Sequence, residues 1–216
     1  MNFAPDDRQR SWRDLATRFA REEVLPRARQ ADAERSFPVD LVARMGRLGL
    51  LAGPIAPRWG GSGMDHVSFA MVYEALGYAD ASVRGFLSVH GGLVCQCIAE
   101  HGSEVQQERW LPALARGEAI GCYCLTEPGA GSDAAAIAST ARRDGDGYLL
   151  SGDKIWITNG NIAHLAIVFA RDPDIEVPPD KRHRQICAFL VPTDSPGFLR
   201  ERMTDLWHDP GRSFRG

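Results

Sequence analysis

The chain of 216 residues is long enough for one large domain or two of ordinary size, and it can bury a substantial hydrophobic core. Hydrophobic residues make up 44% of it and charged residues 25%, which is typical of soluble globular proteins and excludes global disorder. The formal net charge of -3 comes without a long basic block, which argues against a nucleic-acid-binding surface.

The N-terminal segment lacks the apolar core of a secretory signal, because charged side chains such as Asp6 and Arg8 interrupt it. The longest uncharged run, residues 85–99, contains His90 and Gln96 and is too short and too polar to span a bilayer. We therefore expect a soluble, cytoplasmic protein.

The first half of the chain shows the apolar periodicity of amphipathic helices. A first helix is predicted over residues 6–30, with a kink or an end near Pro26. A second is predicted to begin near Pro38, which is acceptable in a first turn, and to stop at Gly49. The apolar stripe of the first helix consists of Trp12, Leu15, Ala16, Phe19, Ala20, Val24 and Leu25.

Residues 53–65 are predicted to form a loop, because two prolines and four glycines interrupt the periodicity. Three further helices are predicted over residues 65–78, 81–99 and 103–116. The last of these opens with a capping-box pair, Ser103 and Gln106. Pro112 predicts that it bends or breaks before its end.

After Gly117 the pattern changes to short runs rich in β-branched and aromatic residues, which glycine, proline and asparagine turns separate. The predicted strands are AIGCYCL, GYLLSG, KIWITNG, LAIVFAR and ICAFLVP. The Asp-Gly-Asp-Gly stretch at residues 144–147 predicts a hairpin turn, and the charged residues 172–184 predict an exposed loop. This order of elements indicates an α+β fold, with an all-α N-terminal domain followed by an antiparallel β domain of barrel or sandwich type.

The five cysteines are an odd number and show no disulfide framework. In a helix Cys95 and Cys97 would point about 200° apart, whereas Cys122 and Cys124 in a strand would share a face. No second cysteine or histidine pair lies at zinc-binding spacing. We therefore expect buried, reduced thiols and no metal site.

The stretch CLTEPGAGSDAAA, residues 124–136, places two glycines and a serine directly after a predicted strand. Gly129 and Gly131 permit positive φ and close approach of a ligand, and consecutive N–H groups with the Ser132 hydroxyl can bind oxyanions. These residues alone leave a phosphate-binding loop and a plain turn both open.

A dinucleotide-binding fingerprint is another alternative, because residues 129–134 match G-x-G-x-x-A and could lead into a helix. Three features weigh against a Rossmann unit: Pro128 before the first glycine, the short length of the supposed helix and the hairpin-linked strands that follow. The alternative nevertheless stays open at this point.

The stretch CYCLTEPGAGSD, followed about twenty residues later by GDKIWITNG, resembles the paired signatures of the acyl-CoA dehydrogenase family. The GGSG loop at residues 60–63 and the stretch HGSEVQQERWLPALARGE agree with it. The resemblance covers about residues 5–200 and implies that family's N-terminal helical domain, residues 1–117, and middle β domain, residues 118–205.

The resemblance implies FAD as the cofactor. The first flavin-contacting stretch would be Tyr123, Cys124, Leu125, Thr126, Glu127, Pro128, Gly129, Ala130, Gly131 and Ser132. Leu125 and Thr126 would lie by the ring, and Gly131 and Ser132 by the phosphates or the acyl-CoA, so that Ser132 is also the expected substrate contact. The second stretch would be Trp156, Ile157 and Thr158.

In the family the matching tryptophan packs on the isoalloxazine, and the threonine hydroxyl approaches N5. A flavin that accepts hydride at N5 gains from a nearby donor, and an aromatic wall excludes water. Ordinary strand packing is the alternative for these residues, with Ile155 and Ile157 on one face and Trp156 and Thr158 on the other.

The implied reaction is oxidation of an acyl-CoA to the trans-2-enoyl-CoA, in fatty acid metabolism, with electron-transfer flavoprotein as the acceptor. The family's base is a glutamate of a C-terminal helical domain that this chain lacks, so we assign no catalytic residue. Glu74, Glu100 and Glu127 are not expected to replace it. FAD lies against that domain, so we expect weak or no FAD retention; the family forms homo-oligomers, an expectation that does not extend to this chain.

Residues 206–216, LWHDPGRSFRG, match no family segment and form an atypical tail. We therefore expect a truncated or frameshifted gene product. Two alternatives remain open: a non-enzymatic module that binds acyl-CoA or a related subunit, and a family relative with oxidase chemistry. The acyl chain length is not predictable from these residues.

Overall fold

The structure is a computed structural model that describes residues 4–203, and the chain divides into two compact units, Met1–Ile120 and Gly121–Gly216. The predicted tail, residues 206–216, lies outside the described residues. Within residues 4–203 no helix is both long and apolar enough to cross a membrane.

The first unit is helical, as predicted. Its helices are α1 (Asp7–Phe19), α2 (Leu25–Ala33), α3 (Asp40–Arg47), α4 (His66–Ala79), α5 (Ala81–Leu87), α6 (Gln96–His101) and α7 (Glu104–Arg116). A π-helical segment, Ala20–Val24, joins α1 to α2, and a second, Ser88–Cys95, joins α5 to α6. The first π-helical segment therefore ends just before Pro26. Pro26 lies in the first turn of α2, where the missing N–H of a proline is tolerated.

Local capping sets the helix ends. Asp6 accepts a hydrogen bond from the backbone N–H of Gln9 at 2.8 Å, and the predicted capping box of Ser103 and Gln106 opens α7. The predicted break at Pro112 is wrong, because α7 continues through it to Arg116 and ends only at Gly117, whose φ is 73°.

The core of this unit is apolar and contains one buried histidine. The largest buried side chains are those of Phe86, Leu41, Met45, Leu50, Leu51, Leu76, Leu87, Ile98, Leu111 and Leu114. His90 is fully buried among them, with its Nε2 3.1 Å from the carbonyl oxygen of Leu114 and its ring stacked on Phe86. A ring nitrogen facing a carbonyl must carry hydrogen, and burial lowers the pKa of His90 to about 4.

The second unit is a five-stranded sheet with β1 (Gly121–Cys124), β2 (Thr140–Asp144), β3 (Gly147–Ser151), β4 (Leu165–Arg171) and β5 (Ile186–Pro192). The β2–β3 and β4–β5 pairs are antiparallel, but β1–β4 and β2–β4 are parallel. The sheet is therefore mixed, and the prediction of an antiparallel domain is wrong in that respect. Neither β1 nor β2 turns directly into β4, so both can run in the same direction as β4.

Three local predictions in this unit have clear outcomes. Asp144 pairs with Gly147 across a two-residue turn, which confirms the hairpin. Ala134–Ala136 forms only a short 3-10 turn before β2, so the Rossmann alternative, which needs a helix there, is wrong. The predicted loop after β4 contains a short 3-10 helix, Pro179–Gln185.

The predicted strand KIWITNG does not form. Trp156 and Asn159 have φ values of 63° and 68°, and a residue in the left-handed region cannot continue a pleated ladder. The alternative of ordinary strand packing for Trp156 and Thr158 is wrong for the same reason.

All five cysteines are free thiols. The Sγ atoms of Cys122 and Cys124 lie 3.7 Å apart, which confirms that the two share a strand face. Burial raises the pKa of Cys95 to about 12, and a hydrogen bond between Cys122 and Cys124 together with burial raises the pKa of Cys122. No group of three or more metal-ligating side chains occurs in the described part of the chain.

An interrupted sheet edge determines where the glycine-rich loop lies. One edge of β4 is paired along its length with β5; on the other edge β1 pairs with residues 165–168, and β2 pairs only with Arg171. The connection between β1 and β2, residues 125–139, leaves the sheet at this interruption. Arg171 fixes its far end, since its backbone N–H donates to the Ser139 carbonyl at 2.8 Å and its guanidinium to the Ala135 carbonyl at 2.8 Å.

The buried His90 predicts an acid-sensitive helical unit. His90 binds a proton near pH 6.5 in the unfolded state and near pH 4 in the folded state. The neutral, buried His90 therefore makes its full contribution to the free energy of unfolding above pH 6.5, and that contribution is lost as the pH falls toward 4. The difference corresponds to about 3 kcal/mol of unfolding free energy. Urea unfolding between pH 7 and pH 4 measures it. His90→Gln keeps a donor for Leu114 but does not titrate, and an unchanged pH dependence in this variant would contradict the assignment.

Candidate functional site

The two signature stretches lie side by side and run in opposite directions. The backbone N–H of Ile155 donates to the Thr126 carbonyl at 3.0 Å, and the Asn159 side-chain amide donates to the Gly121 carbonyl at 3.3 Å. The irregular segment around Trp156 is therefore tied to the first residue of β1 and to Thr126, two residues beyond its end.

Glu127 lies at the centre of this arrangement. Its side chain is 7% exposed, and its carboxylate accepts from the backbone N–H groups of Ala138 at 2.6 Å and Ser139 at 3.0 Å. The Ser139 hydroxyl and the Lys154 ammonium, at 2.7 Å, also donate to it. Glu127 and Ala130 exchange backbone hydrogen bonds at 3.0 and 3.1 Å, which closes the turn that contains the first glycine.

Lys154 joins the two stretches through one side chain. Its ammonium donates to the Leu125 carbonyl at 3.1 Å as well as to Glu127, and its side chain is 11% exposed. Burial lowers the pKa of Lys154, and the bond to Glu127 partly opposes this.

The pKa of Glu127 is lowered, because the hydrogen bonds from Lys154, Ser139 and Ala138 outweigh the opposing effect of burial. The group is therefore ionised at neutral pH and its acceptor sites are occupied. A carboxylate held in this way positions its neighbours and is unsuited to abstract a proton. This agrees with the prediction that Glu127 does not act as the catalytic base.

The predicted site residues fall into three groups. The exposed ones are Pro128, Gly129, Gly131, Ser132, Trp156 and Thr158; the half-buried ones are Tyr123, Leu125, Thr126 and Ile157; the buried ones are Cys124, Glu127 and Ala130. Cys124 and Ile157 share a core cluster with Cys122 and Ala166, so their side chains serve packing. The ring of Tyr123 contacts that of Phe169, with 4.8 Å between the ring centroids.

The glycine turn presents open backbone. A Cβ atom added at Gly129 or Gly131 would meet nothing within 4 Å. Within residues 4–203 no protein group accepts from the N–H of either glycine or bonds the Ser132 hydroxyl. These donors and this space fit an oxyanion ligand. A cavity of about 290 Å³ adjoins the turn and is lined by Glu127, Pro128, Gly129, Ala136, Ala138, Ser139, Gly152 and Asp153.

Trp156 is a large apolar side chain held outward by strained backbone. It is 59% exposed at a φ of 63°, a conformation that costs a bulky residue about 1–3 kcal/mol. Strain of this kind persists only where neighbouring contacts enforce it. Here Lys154 and Ile155 constrain one side of Trp156, and Asn159 constrains the other.

Two family models match the chain. The model of the acyl-CoA dehydrogenase N-terminal domain matches residues 6–118, and that of the middle domain matches residues 122–213. The chain belongs to the acyl-CoA dehydrogenase family. The second match extends into the segment of residues 206–216, where we expected none.

Three similar proteins place the chain within the acyl-CoA dehydrogenase family in more detail. The mitochondrial short-chain specific acyl-CoA dehydrogenase of Mus musculus is 38% identical over 187 residues, which cover 87% of this chain and 44% of that protein. A glutaryl-CoA dehydrogenase from Mycobacterium smegmatis, solved in complex with FADH2, is 37% identical, with a TM-score of 0.82 over 89% of this chain and 47% of its own.

The third is a chain in a structure of the electron transferring flavoprotein of Acidaminococcus fermentans. It is 32% identical, with a TM-score of 0.85 over 91% of this chain and 50% of its own. The chain thus spans about half the length of the relatives that it matches. These likenesses confirm the predicted family and its fold of a helical domain followed by a sheet domain.

Sequence reasoning missed four residues that organise the site: Lys154, Ser139, Gly152 and Asn159. A signal for Lys154 was present, because it is the only basic residue in the two signature stretches, which also contain acidic residues such as Glu127. Opposite charges in two motifs that share a ligand are candidates for an ion pair. Nothing in the sequence indicated the other three.

We predict that Glu127→Gln destabilises the protein at neutral pH by about 2 kcal/mol, because an amide cannot accept from four donors and leaves Lys154 without its charge partner. The pKa of Glu127 is lower in the folded state than in the unfolded state. The ionised carboxylate therefore contributes to the stability of the wild type above the ordinary pKa of a glutamate, and this contribution is lost as the pH falls through the pKa of the folded state. Urea unfolding across this range should show a smaller loss of stability with acid in the variant than in the wild type, because both keep the contribution of His90. Asp153→Asn, at an exposed neighbour, is the control and should behave like wild type.

We predict that Gly152→Ala lowers stability by about 3 kcal/mol, through overpacking and backbone strain together. The φ of Gly152 is 151°, and its added Cβ would lie 2.2 Å from the Ser139 Oγ and 2.8 Å from the Ser139 Cα. Gly129→Ala, where the added Cβ meets nothing within 4 Å, is the matched control. Equal melting temperatures for the two variants would refute the packing argument.

Proposed function

We propose that this chain supplies the flavin- and acyl-CoA-facing surface of an acyl-CoA dehydrogenase that oxidises the α,β bond of an acyl-CoA thioester. The observation that carries the proposal is the antiparallel strip in which Thr126 bonds Ile155 and Glu127 bonds Lys154. At one end, this strip places the exposed ring of Trp156 beside Leu125 and Thr126 of the first signature stretch. At the other end lies the open turn of Gly129 and Gly131. The family relationship supports FAD as the ligand.

The ring-facing part of the proposed site consists of Leu125, Thr126, Trp156 and Thr158. Trp156 offers a planar surface for offset stacking, at roughly 0.5–1.5 kcal/mol beyond area burial. The Thr158 hydroxyl is exposed and has no partner among the described residues, so it is available as a donor. FAD, when bound, supplies the hydride acceptor of the reaction.

The phosphate-facing part is the turn of Gly129, Gly131 and Ser132. Its open N–H groups and hydroxyl would bind phosphate oxygens without any positive side chain. The two parts lie toward opposite ends of the strip, which suits an elongated ligand with a ring at one end and phosphates along its length. Ser132 is also the residue that we propose to contact the acyl-CoA.

The proton-abstracting base is assigned to no residue of this chain. Glu127 is ionised but fully occupied, as described above. An electron-transfer flavoprotein as electron acceptor, a role in fatty acid metabolism and a cytoplasmic location belong to the proposal as well. The acyl chain length stays undefined.

Titration of the purified chain with FAD tests the cofactor. We expect weak but saturable binding, seen as quenching of tryptophan fluorescence. Trp156→Phe should reduce this quenching, and Trp59→Phe, in the helical unit, should leave it in place. Ser132→Ala should weaken FAD binding roughly fivefold through one lost hydrogen bond, with riboflavin binding unchanged because riboflavin lacks phosphates. The absence of saturable quenching would refute the FAD site in this chain.

Addition of acyl-CoAs separates the dehydrogenase from its alternatives. Dye-linked turnover of bound flavin supports the dehydrogenase, and oxygen consumption supports an oxidase instead. Acyl-CoA binding without any flavin binding would favour a non-enzymatic module.

A further inference from the structure

We propose that Lys154 is a positioning residue, with Glu127 as its anchor: the pair holds the ring-facing stretch and the phosphate-facing turn in fixed register before any ligand binds. This rests on the proposed function, because it concerns the same site. It adds a role for Glu127 and Lys154, which lie between the ring-facing stretch and the phosphate-facing turn. Their bonds to these two parts are made to backbone atoms.

The first step of the argument is connectivity. The Lys154 ammonium bonds the carbonyl of Leu125, in the ring-facing stretch, at 3.1 Å and the carboxylate of Glu127, at the start of the glycine turn, at 2.7 Å. One side chain of the second signature therefore reaches both parts of the first. An apolar side chain in its place could fill the volume but could not specify these two atoms.

The second step is that Glu127 closes the loop on itself. Its carboxylate accepts from Ala138 and Ser139, which follow the glycine turn, while its backbone pairs with Ala130 within the turn. Ser139 is in turn bonded to Arg171 of β4 at 2.8 Å. The anchor of Lys154 is therefore fixed to the sheet, and movement of Glu127 would require breaking several bonds.

The third step concerns Trp156, two residues beyond Lys154. Its left-handed backbone is unfavourable by itself and needs constraints on both sides. Asn159 provides one constraint through Gly121, and Lys154 with Ile155 provides the other. Releasing Lys154 should let the backbone at Trp156 relax toward negative φ, which moves the indole.

Because the pair is buried, a positioning role can be distinguished from a purely stabilising one. The side chains are 11% and 7% exposed, and replacing a buried ion pair by uncharged groups of similar volume is often neutral for stability. The double variant Lys154→Met/Glu127→Gln should therefore fold, while the single variant Lys154→Met leaves a buried carboxylate without its cation. A positioning role predicts that the double variant stays folded at neutral pH but loses the geometry at Trp156.

The experiment is ¹⁹F NMR of the full chain labelled with 5-fluorotryptophan, without ligand. Trp156→Phe assigns the Trp156 resonance, and Trp12, Trp59 and Trp110 in the helical unit are internal references. Wild type should show one narrow Trp156 resonance. In the double variant it should shift or broaden while the references stay in place, and Lys154→Arg, which retains a cation, should restore a single narrow line.

A wild-type Trp156 resonance in a folded double variant would overturn the proposal. If the double variant does not fold, Lys154→Gln provides the same test with a milder change, and an unperturbed resonance there overturns it equally. The readout needs no flavin, so its outcome is independent of whether the chain binds FAD.

A second measurement links the geometry to the ligand. The double variant should bind FAD roughly tenfold more weakly than wild type, as expected for residues that orient ligand-contacting groups. Arg44→Met, which removes the Glu23–Arg44 pair in the helical unit, is the control and should leave FAD affinity unchanged. Absent FAD binding in wild type would refute the proposed function alone, whereas equal binding by wild type and double variant would refute the positioning role alone.

Discussion

The carboxylate of Glu127 is buried, and that one constraint organises the second unit. A buried anion is unfavourable by several kcal/mol unless hydrogen bonds and a countercharge replace its water. Here two backbone N–H groups, a hydroxyl and the Lys154 ammonium do so. These bonds bring together the chain segments at residues 127, 138–139 and 154. They thereby set the shape of the glycine loop and the path of the second signature stretch.

The sheet provides the frame for this cluster. Because β1 and β2 share one edge of β4 without meeting, the connection between them leaves the sheet at an interruption. The irregular segment around Trp156 is bonded to Gly121, the first residue of β1, and to Thr126, just beyond its end. The groups proposed to contact a ligand lie on irregular segments, where glycine and left-handed residues can expose N–H groups and an indole, while regular strands hold those segments in place.

The predictions from sequence were most accurate where local physics decides the structure. Apolar periodicity and capping residues such as Asp6 and Ser103 act within one helical turn, so the helices were found with errors at π-helical joins and at Pro112. KIWITNG has the composition of a strand, yet its bonds to Gly121, Leu125 and Thr126 favour an irregular path. The parallel pairing of β1 with β4 depends on residues more than 40 positions apart, which no local pattern encodes.

The sequence by itself determined the family, the two-part α+β architecture and the two signature stretches, because residue types at short spacing carry that information. The glycine-rich loop was correctly placed after a strand, and its open backbone is the conformational freedom that its glycines permit. Only the tertiary structure decided that Glu127 is an anchor, that Lys154 reaches both signatures and that Trp156 is held outward. These features depend on burial and on contacts between residues 11 to 38 positions apart in the chain. The ion pair of Glu127 and Lys154 can therefore form only once the chain has folded.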